Sequence, residues 1–130
     1  MIYYEKHSTT EIHMAKHIET GREAENRARK YLVKEGYEIL HVNYRYKRNE
    51  IDIIAREQGT LVFVEVKARA DASFGFPEES VDEKKAERIR MAAEQFILDE
   101  KWEGPIRFDI ISVITENGMQ DSLCHFVDAF

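Results

Sequence analysis

Three residues of the 130-residue chain have the types and spacing of a metal-assisted hydrolytic site. Asp52 is embedded in the apolar run Ile51-Asp52-Ile53-Ile54. Thirteen residues on, Glu65 and Lys67 close the apolar run Leu61-Val62-Phe63-Val64. A carboxylate in such a setting carries a desolvation penalty unless a cation offsets it. Two carboxylates that converge make a hard oxygen site for Mg²⁺ or Mn²⁺. A lysine beside them can stabilise developing negative charge or help to acidify a bound water. A plainer account competes: Glu65 and Lys67 as an exposed pair on one strand face, with Asp52 a partnered structural acid.

The elements around these residues follow from hydrophobic periodicity. A first helix is predicted from Glu19 to Glu35, capped by Thr20 and stopped at Gly36, with Ala24, Ala28, Tyr31, Leu32 and Val33 as its buried stripe. Three strands follow at Tyr37–Tyr46, Glu50–Arg56 and Leu61–Ala68. Gly59 supplies the turn between the last two. This hairpin puts Asp52 and Glu65 at comparable distances from its loop. On the third strand, alternation sends Val62, Val64 and Val66 to the core and Leu61, Phe63, Glu65 and Lys67 to the other face. Residues 69–80, with Gly75 and Pro77, read as a loop. A second helix is predicted from Ser80, with Glu83 completing a capping box, to about Trp102. Strands at Ile106–Ile114 and Ser122–Val127, joined by a turn at Asn117-Gly118, close the chain. The order α-β-β-β-α-β-β is that of an α/β domain with a mixed central sheet flanked by helices. Residues 1–17 are expected to be a flexible leader, and residues 18–130 a single domain.

Composition excludes several classes. Hydrophobic residues make up 43% and charged residues 34%, which argues for a packed globular domain over a disordered chain. No apolar run approaches the ~20 residues of a membrane helix, so no membrane partner is expected. The start, Met1 to His7, lacks a signal core. The single cysteine, Cys124, excludes an intrachain disulfide and a thiolate zinc site, and a cytoplasmic location is expected. The net charge of −6 argues against coating nucleic acid by bulk charge. The charge is uneven, however. Residues 1–60 carry 11 Lys and Arg against 10 Asp and Glu, whereas residues 61–130 carry 8 against 15. A local basic surface therefore fits the first half, where the predicted turn holds Arg45, Lys47 and Arg48 around Tyr46.

Asp52 followed by Glu65-x-Lys67 has the spacing of metal-dependent nucleases of the PD-(D/E)xK type, with Ile51 in place of the proline. A longer pattern runs through Gly21, Ala24-Glu25-Asn26-Arg27-Ala28, Tyr31-Leu32, Gly36-Tyr37, Asn43, Glu50 to Ile54 and Phe63 to Lys67. It continues in Arg69, Phe74-Gly75-x-Pro77, Val81, Lys85, Arg107-Phe108-Asp109 and Ala129-Phe130. Together these residues resemble the YraN-like family of predicted endonucleases, which is similar to archaeal Holliday junction resolvases and shares the restriction-endonuclease-like fold. The resemblance implies Asp52 and Glu65 as metal ligands and Lys67 as the catalytic lysine. It further implies Glu25 as a helical glutamate holding metal through water, and the Val66 carbonyl as an additional ligand. Periodicity alone favours a solvated Glu25. Arg69 and Lys85 match the pattern and join Arg45, Lys47 and Arg48 as nucleic-acid contacts. Two positions depart from the family: Ala24 and Asn49 stand where it usually has glycine, and neither change removes an expected ligand.

Other candidates are weaker. His13 and His17 stand four apart without an evident third ligand, and Cys124 reads as a small apolar residue. On the second helix, Lys84, Lys85, Arg88 and Arg90 alternate with Glu83 and Glu87 as a solvated face would. The expectation is a Mg²⁺- or Mn²⁺-dependent endonuclease acting on DNA, with branched DNA the substrate suggested by analogy. A homodimer is expected for that activity, because a junction has a twofold axis. The alternative is a non-catalytic nucleic-acid-binding or protein-interaction module on the same fold.

Overall fold

Leu61, Val62, Phe63 and Val64 are all fully buried, on both faces of one strand, and the rest of the fold accounts for this. In a computed structural model that describes residues 2–6, 20–69, 81–116 and 119–130, two helices sandwich a six-stranded sheet. The elements are β1 (Ile2–Lys6), α1 (Thr20–Lys34), β2 (Glu38–Tyr46), β3 (Asn49–Glu57), β4 (Thr60–Arg69), α2 (Glu83–Glu100), β5 (Ile106–Glu116) and β6 (Met119–Phe126). The sheet order is β1-β6-β5-β4-β3-β2. Only β4 and β5 are parallel, and α2 lies in the crossover that a parallel pair requires. This is the expected α/β domain with a mixed sheet between helices, and its order agrees with the restriction-endonuclease-like expectation, with one strand added at the start.

Each helix closes one face. Ala24, Ala28, Tyr31 and Leu32 of α1 pack on Ile53, Val62, Val64 and Ile111. Ile89, Ala92, Ala93 and Phe96 of α2 pack on Ile51, Ile54, Leu61 and Phe63. The stripe expected on α1 holds except at Val33, which is 55% exposed. Val66, expected in the core, is only half-buried because it lies past the end of α1's cover. The α1 terminus needs Gly36, at φ +94°, to let Tyr37 N–H return to the Leu32 carbonyl at 2.9 Å.

Two expectations change. Residues Ile2–Lys6 of the expected leader form an edge strand antiparallel to β6. Residues 7–17 lie outside the described residues, as do the 70–80 part of the expected loop and the Asn117-Gly118 turn. The second helix begins three residues later than expected, with Asp82 as its cap: the Asp82 carboxylate accepts the Lys85 N–H at 2.8 Å. Ser80 also lies outside the described residues.

Candidate active site

The site forms where two strands part. The β3–β4 ladder runs from Glu57↔Thr60 to Ile53↔Val64 and stops there. The next pair in that register is Asp52 with Glu65. Beyond it, β3 continues only with β2, and β4 continues with β5 as far as Arg69↔Ile114. Alternation breaks at the same place. Ile51 packs in the α2 layer and Ile53 in the α1 layer, although strict alternation would put them on one face. Val66 N–H, left without a strand partner by the fork, donates instead to Asp52 Oδ2 at 2.8 Å. The carboxylate thus takes the place of a ladder carbonyl, which answers how a polar residue is tolerated in this apolar strand.

Glu65 is 4% exposed and faces α2. Its Oε2 receives Lys85 Nζ at 2.5 Å and Lys67 Nζ at 3.4 Å. The Asp52 carboxyl lies within hydrogen-bonding reach of the Glu65 side chain. Burial, and then the Glu65 charge, push the Asp52 carboxyl up to about 8, against the pull of the Val66 N–H. Glu25, on α1, is raised by burial and by Glu50 and Glu65, while Arg22 and a hydrogen bond from Asn43 oppose the rise. Lys67 is lowered, by burial first and then by Lys85. Burial also pulls Lys85 down, but its bond to Glu65 outweighs this and leaves it raised.

Glu25, Asp52, Glu65, Val66, Lys67 and Lys85 therefore line one cleft of about 350 Å³, together with Arg48. These are the four expected catalytic residues, the expected backbone ligand and two of the five expected nucleic-acid contacts. Lys85 is not part of a solvated face: it is turned into the cleft, and Arg88 lines the same cleft. The other three expected contacts lie elsewhere. Arg45 lines an adjoining cleft and pairs with Glu50 at 3.3 Å. Lys47 sits over the Tyr46 ring at 5.2 Å in the β2–β3 turn. Arg69 ends β4, and its Nε is buried with no hydrogen-bond partner among the described residues.

Among the described residues, no three His, Cys, Asp or Glu side chains stand close enough together to hold an ion as a set. Two carboxylates do fit one. Mg²⁺ usually keeps several waters and takes one or two protein carboxylates plus a substrate phosphate. Asp52 and Glu65 supply that pair, and a divalent cation would offset the charge that burial and the Glu65 carboxylate make costly on Asp52.

A second polar centre was not foreseen. Asp109, fully buried on β5, accepts from Arg107 Nε at 2.9 Å and Arg107 Nη2 at 3.0 Å, from His125 Nε2 at 2.7 Å, and from Asp128 N–H at 2.9 Å. His125 Nδ1 meets the Tyr31 hydroxyl at 3.0 Å, and Arg107 donates to the Tyr37 hydroxyl at 2.9 Å. The available signal was Asp109 itself, a lone acid in the apolar strand Ile106 to Ile114. Asn43 was also quoted without a role. It stands in β2 at φ +51° and reaches Glu25.

A family model described as "Uncharacterised protein family UPF0102" matches residues 24–113, which include every expected catalytic residue. A UPF0102 protein of Parabacteroides distasonis is 42% identical over 118 residues, covering 90% of this chain and 96% of the relative. One from Bacteroides thetaiotaomicron is 44% identical over 117 residues, with the same coverage. One from Persephonella marina is 41% identical over 111 residues, covering 85% of this chain and 91% of the relative. The chain belongs to UPF0102, the YraN-like family that its residues resemble.

Proposed function

We propose that the chain is a divalent-cation-dependent endonuclease that hydrolyses phosphodiester bonds in DNA. The observation that carries this reading is the strand fork, where Asp52 and Glu65 meet in one cleft with Lys67 and Lys85. Mg²⁺ or Mn²⁺ held by Asp52, Glu65 and the Val66 carbonyl would supply positive charge beside the phosphate and lower the pKa of water there. The remaining roles belong to the chain. Lys67, with its lowered pKa and its place beside Glu65, stabilises the charge that builds on the phosphate. Glu25 orients water from the α1 side. Lys85 balances the buried Glu65 charge and presents an ammonium to the substrate backbone.

The non-catalytic module has one observation in its favour. Both acids already have partners, Glu65 in two lysines and Asp52 in a backbone N–H. The two readings separate in one assay. Labelled duplex, single-stranded and four-way-junction DNA are incubated with the protein in Mg²⁺, Mn²⁺ or EDTA, beside the Asp52→Asn and Lys67→Ala variants. Cation-dependent cleavage that falls by about 10³-fold or more in both folded variants is expected, since each removes a group acting on the reacting phosphate. Binding without cleavage in any cation, unchanged in both variants, would leave the module as the answer. Branched DNA is the favoured substrate, and a junction cut faster than a duplex of the same sequence is the expected order.

A further inference from the structure

Three acids form a wall between two clefts. Glu25, Glu50 and Asp52 line the catalytic cleft, and they also line a second cleft of about 650 Å³ on the α1 side. Three arginines reach that second space: Arg22 and Arg29 from α1, and Arg45 from β2. Arg22 and Arg29 are seven residues apart, two helical turns, so with Asn26 between them they form a row of roughly 10 Å on one helix face. At the head of the row, Gly21 leaves open space where a side chain would begin, with nothing within 4 Å.

Arg29 and Arg45 hold partners that a phosphate can displace, and Arg22 acts on Glu25. Arg45 pairs with Glu50 in a bridge whose side chains are 71% and 38% exposed, a kind of pair that contributes little. Arg29 meets the Asn26 side-chain oxygen at a long 3.4 Å in the same row. Guanidinium groups bind phosphate through two parallel N–H donors, and they lose little water in doing so. A single small anion would need one such fork. A row of roughly 10 Å is longer than one phosphate group, so it suits consecutive phosphates of a strand.

We infer that this second cleft holds the sugar-phosphate backbone flanking the reacting bond, so that one nucleic-acid strand crosses the acid wall with phosphates seated on both sides. The inference rests on the nuclease reading and adds Arg22 and Arg29 to the already expected Arg45 as the backbone grip of the α1 side. The strand then continues past the reacting phosphodiester in both directions, and cutting occurs within a chain rather than at its end.

The test measures binding apart from chemistry. Labelled single-stranded and four-way-junction DNA are titrated in EDTA across a salt series, using the wild type, the Arg29→Gln/Arg45→Gln double variant and its Arg29→Lys/Arg45→Lys counterpart. The glutamine variant is expected to bind about tenfold more weakly at low salt. Its log–log salt slope should be shallower by about 1.5, the share of two phosphates. The lysine variant should recover most of the slope, because it keeps the charges. Mn²⁺ affinity without DNA should stay within twofold of wild type in all three. A glutamine variant with wild-type affinity and slope overturns the cleft assignment while leaving the catalytic site standing. A wild type that binds no DNA form overturns both. Cleavage lost in Asp52→Asn with DNA binding intact supports the catalytic reading independently of this cleft.

Discussion

Asp52 occupies a position that the fold would be more stable without. Its carboxyl titrates near 8 because burial and the neighbouring Glu65 both disfavour its charge, whereas in the unfolded chain it titrates near 3.8. The folded state therefore holds a proton that the unfolded state releases. The associated stability is fully present below pH 3.8 and is lost as pH rises to about 8. The Asp52→Asn variant keeps an oxygen for the Val66 N–H but has no charge to desolvate. In EDTA its Tm should exceed that of the wild type by roughly 5 °C at pH 8. That gap should close toward pH 4. Added Mn²⁺ should raise the wild-type Tm and leave the variant nearly unmoved, since ligand stabilisation requires binding to the folded state. Thermal scans with and without the cation read both effects, and parallel pH profiles for the two proteins would remove this account of the acid pair. The same residue marks what the sequence could reveal. Asp52 and Glu65 converge because a hairpin fixes which residues are opposite, and Gly59 together with the two apolar runs defined that hairpin. The raised Asp52 carboxyl depends on the strands parting, which no local pattern encodes.

The helices and strands were legible wherever burial is one-sided or complete over several residues, as in the α1 stripe and Leu61–Val64. They were less legible where a tertiary partner decides. β1 is a short edge strand whose existence depends on β6, some 120 residues away. The start of α2 has two residues suited to capping, Ser80 and Asp82, and Asp82 takes the role. Lys85 was placed on a solvated face because the rotation of α2 against the sheet is set by Ile89, Ala92, Ala93 and Phe96, and not by its charged residues. The cap has a consequence for the site. The N–H that Asp82 receives is that of Lys85, whose ammonium meets Glu65, so one first turn carries both contacts. Replacing Asp82 by alanine should destabilise the protein by about 1 kcal/mol. It should also speed amide hydrogen exchange in the first turn of α2 more than in its middle. Urea denaturation gives the first quantity and exchange mass spectrometry the second. Uniform acceleration along the helix would mean that the cap does not hold the Lys85 turn.

Across the whole molecule Asp52 and Asp109 stand in opposite environments, and the sheet separates their tasks. Asp52 lies at the strand fork with its charge disfavoured. Asp109 lies on β5, opposite Val64, with its charge saturated: four donors from Arg107, His125 and Asp128 fill the lone pairs of its two oxygens. An ionised carboxylate only accepts, so His125 donates from Nε2, and a neutral ring then receives the Tyr31 hydroxyl proton at Nδ1. Through these bonds Asp109 joins α1, the turn that leads into β2, β5, β6 and the segment after β6, using Tyr31, Tyr37, Arg107, His125 and Asp128. Burial alone would raise the Asp109 carboxyl, but the donors outweigh it and hold it below 3.8. The sign of its pH dependence is thus the reverse of that of Asp52: its stabilisation is present above the unfolded-state value and is lost as pH falls through the lower folded value. The Asp109→Asn variant turns an amide N–H₂ toward Arg107 or His125 and leaves the partly buried Arg107 guanidinium with the more distant Glu57, at 3.5 Å, as counter-ion. A loss of about 3–5 kcal/mol at pH 7 is expected. The difference from wild type should shrink as pH falls below 4, where the wild-type carboxyl gains its proton. Urea denaturation at pH 7 and pH 3.5 measures both. An equal gap at the two pH values would show that the Asp109 charge does not hold the elements together. Cation affinity at the fork should change little in the folded fraction of this variant, because Asp109 lies outside the catalytic cleft and anchors the far part of the sheet.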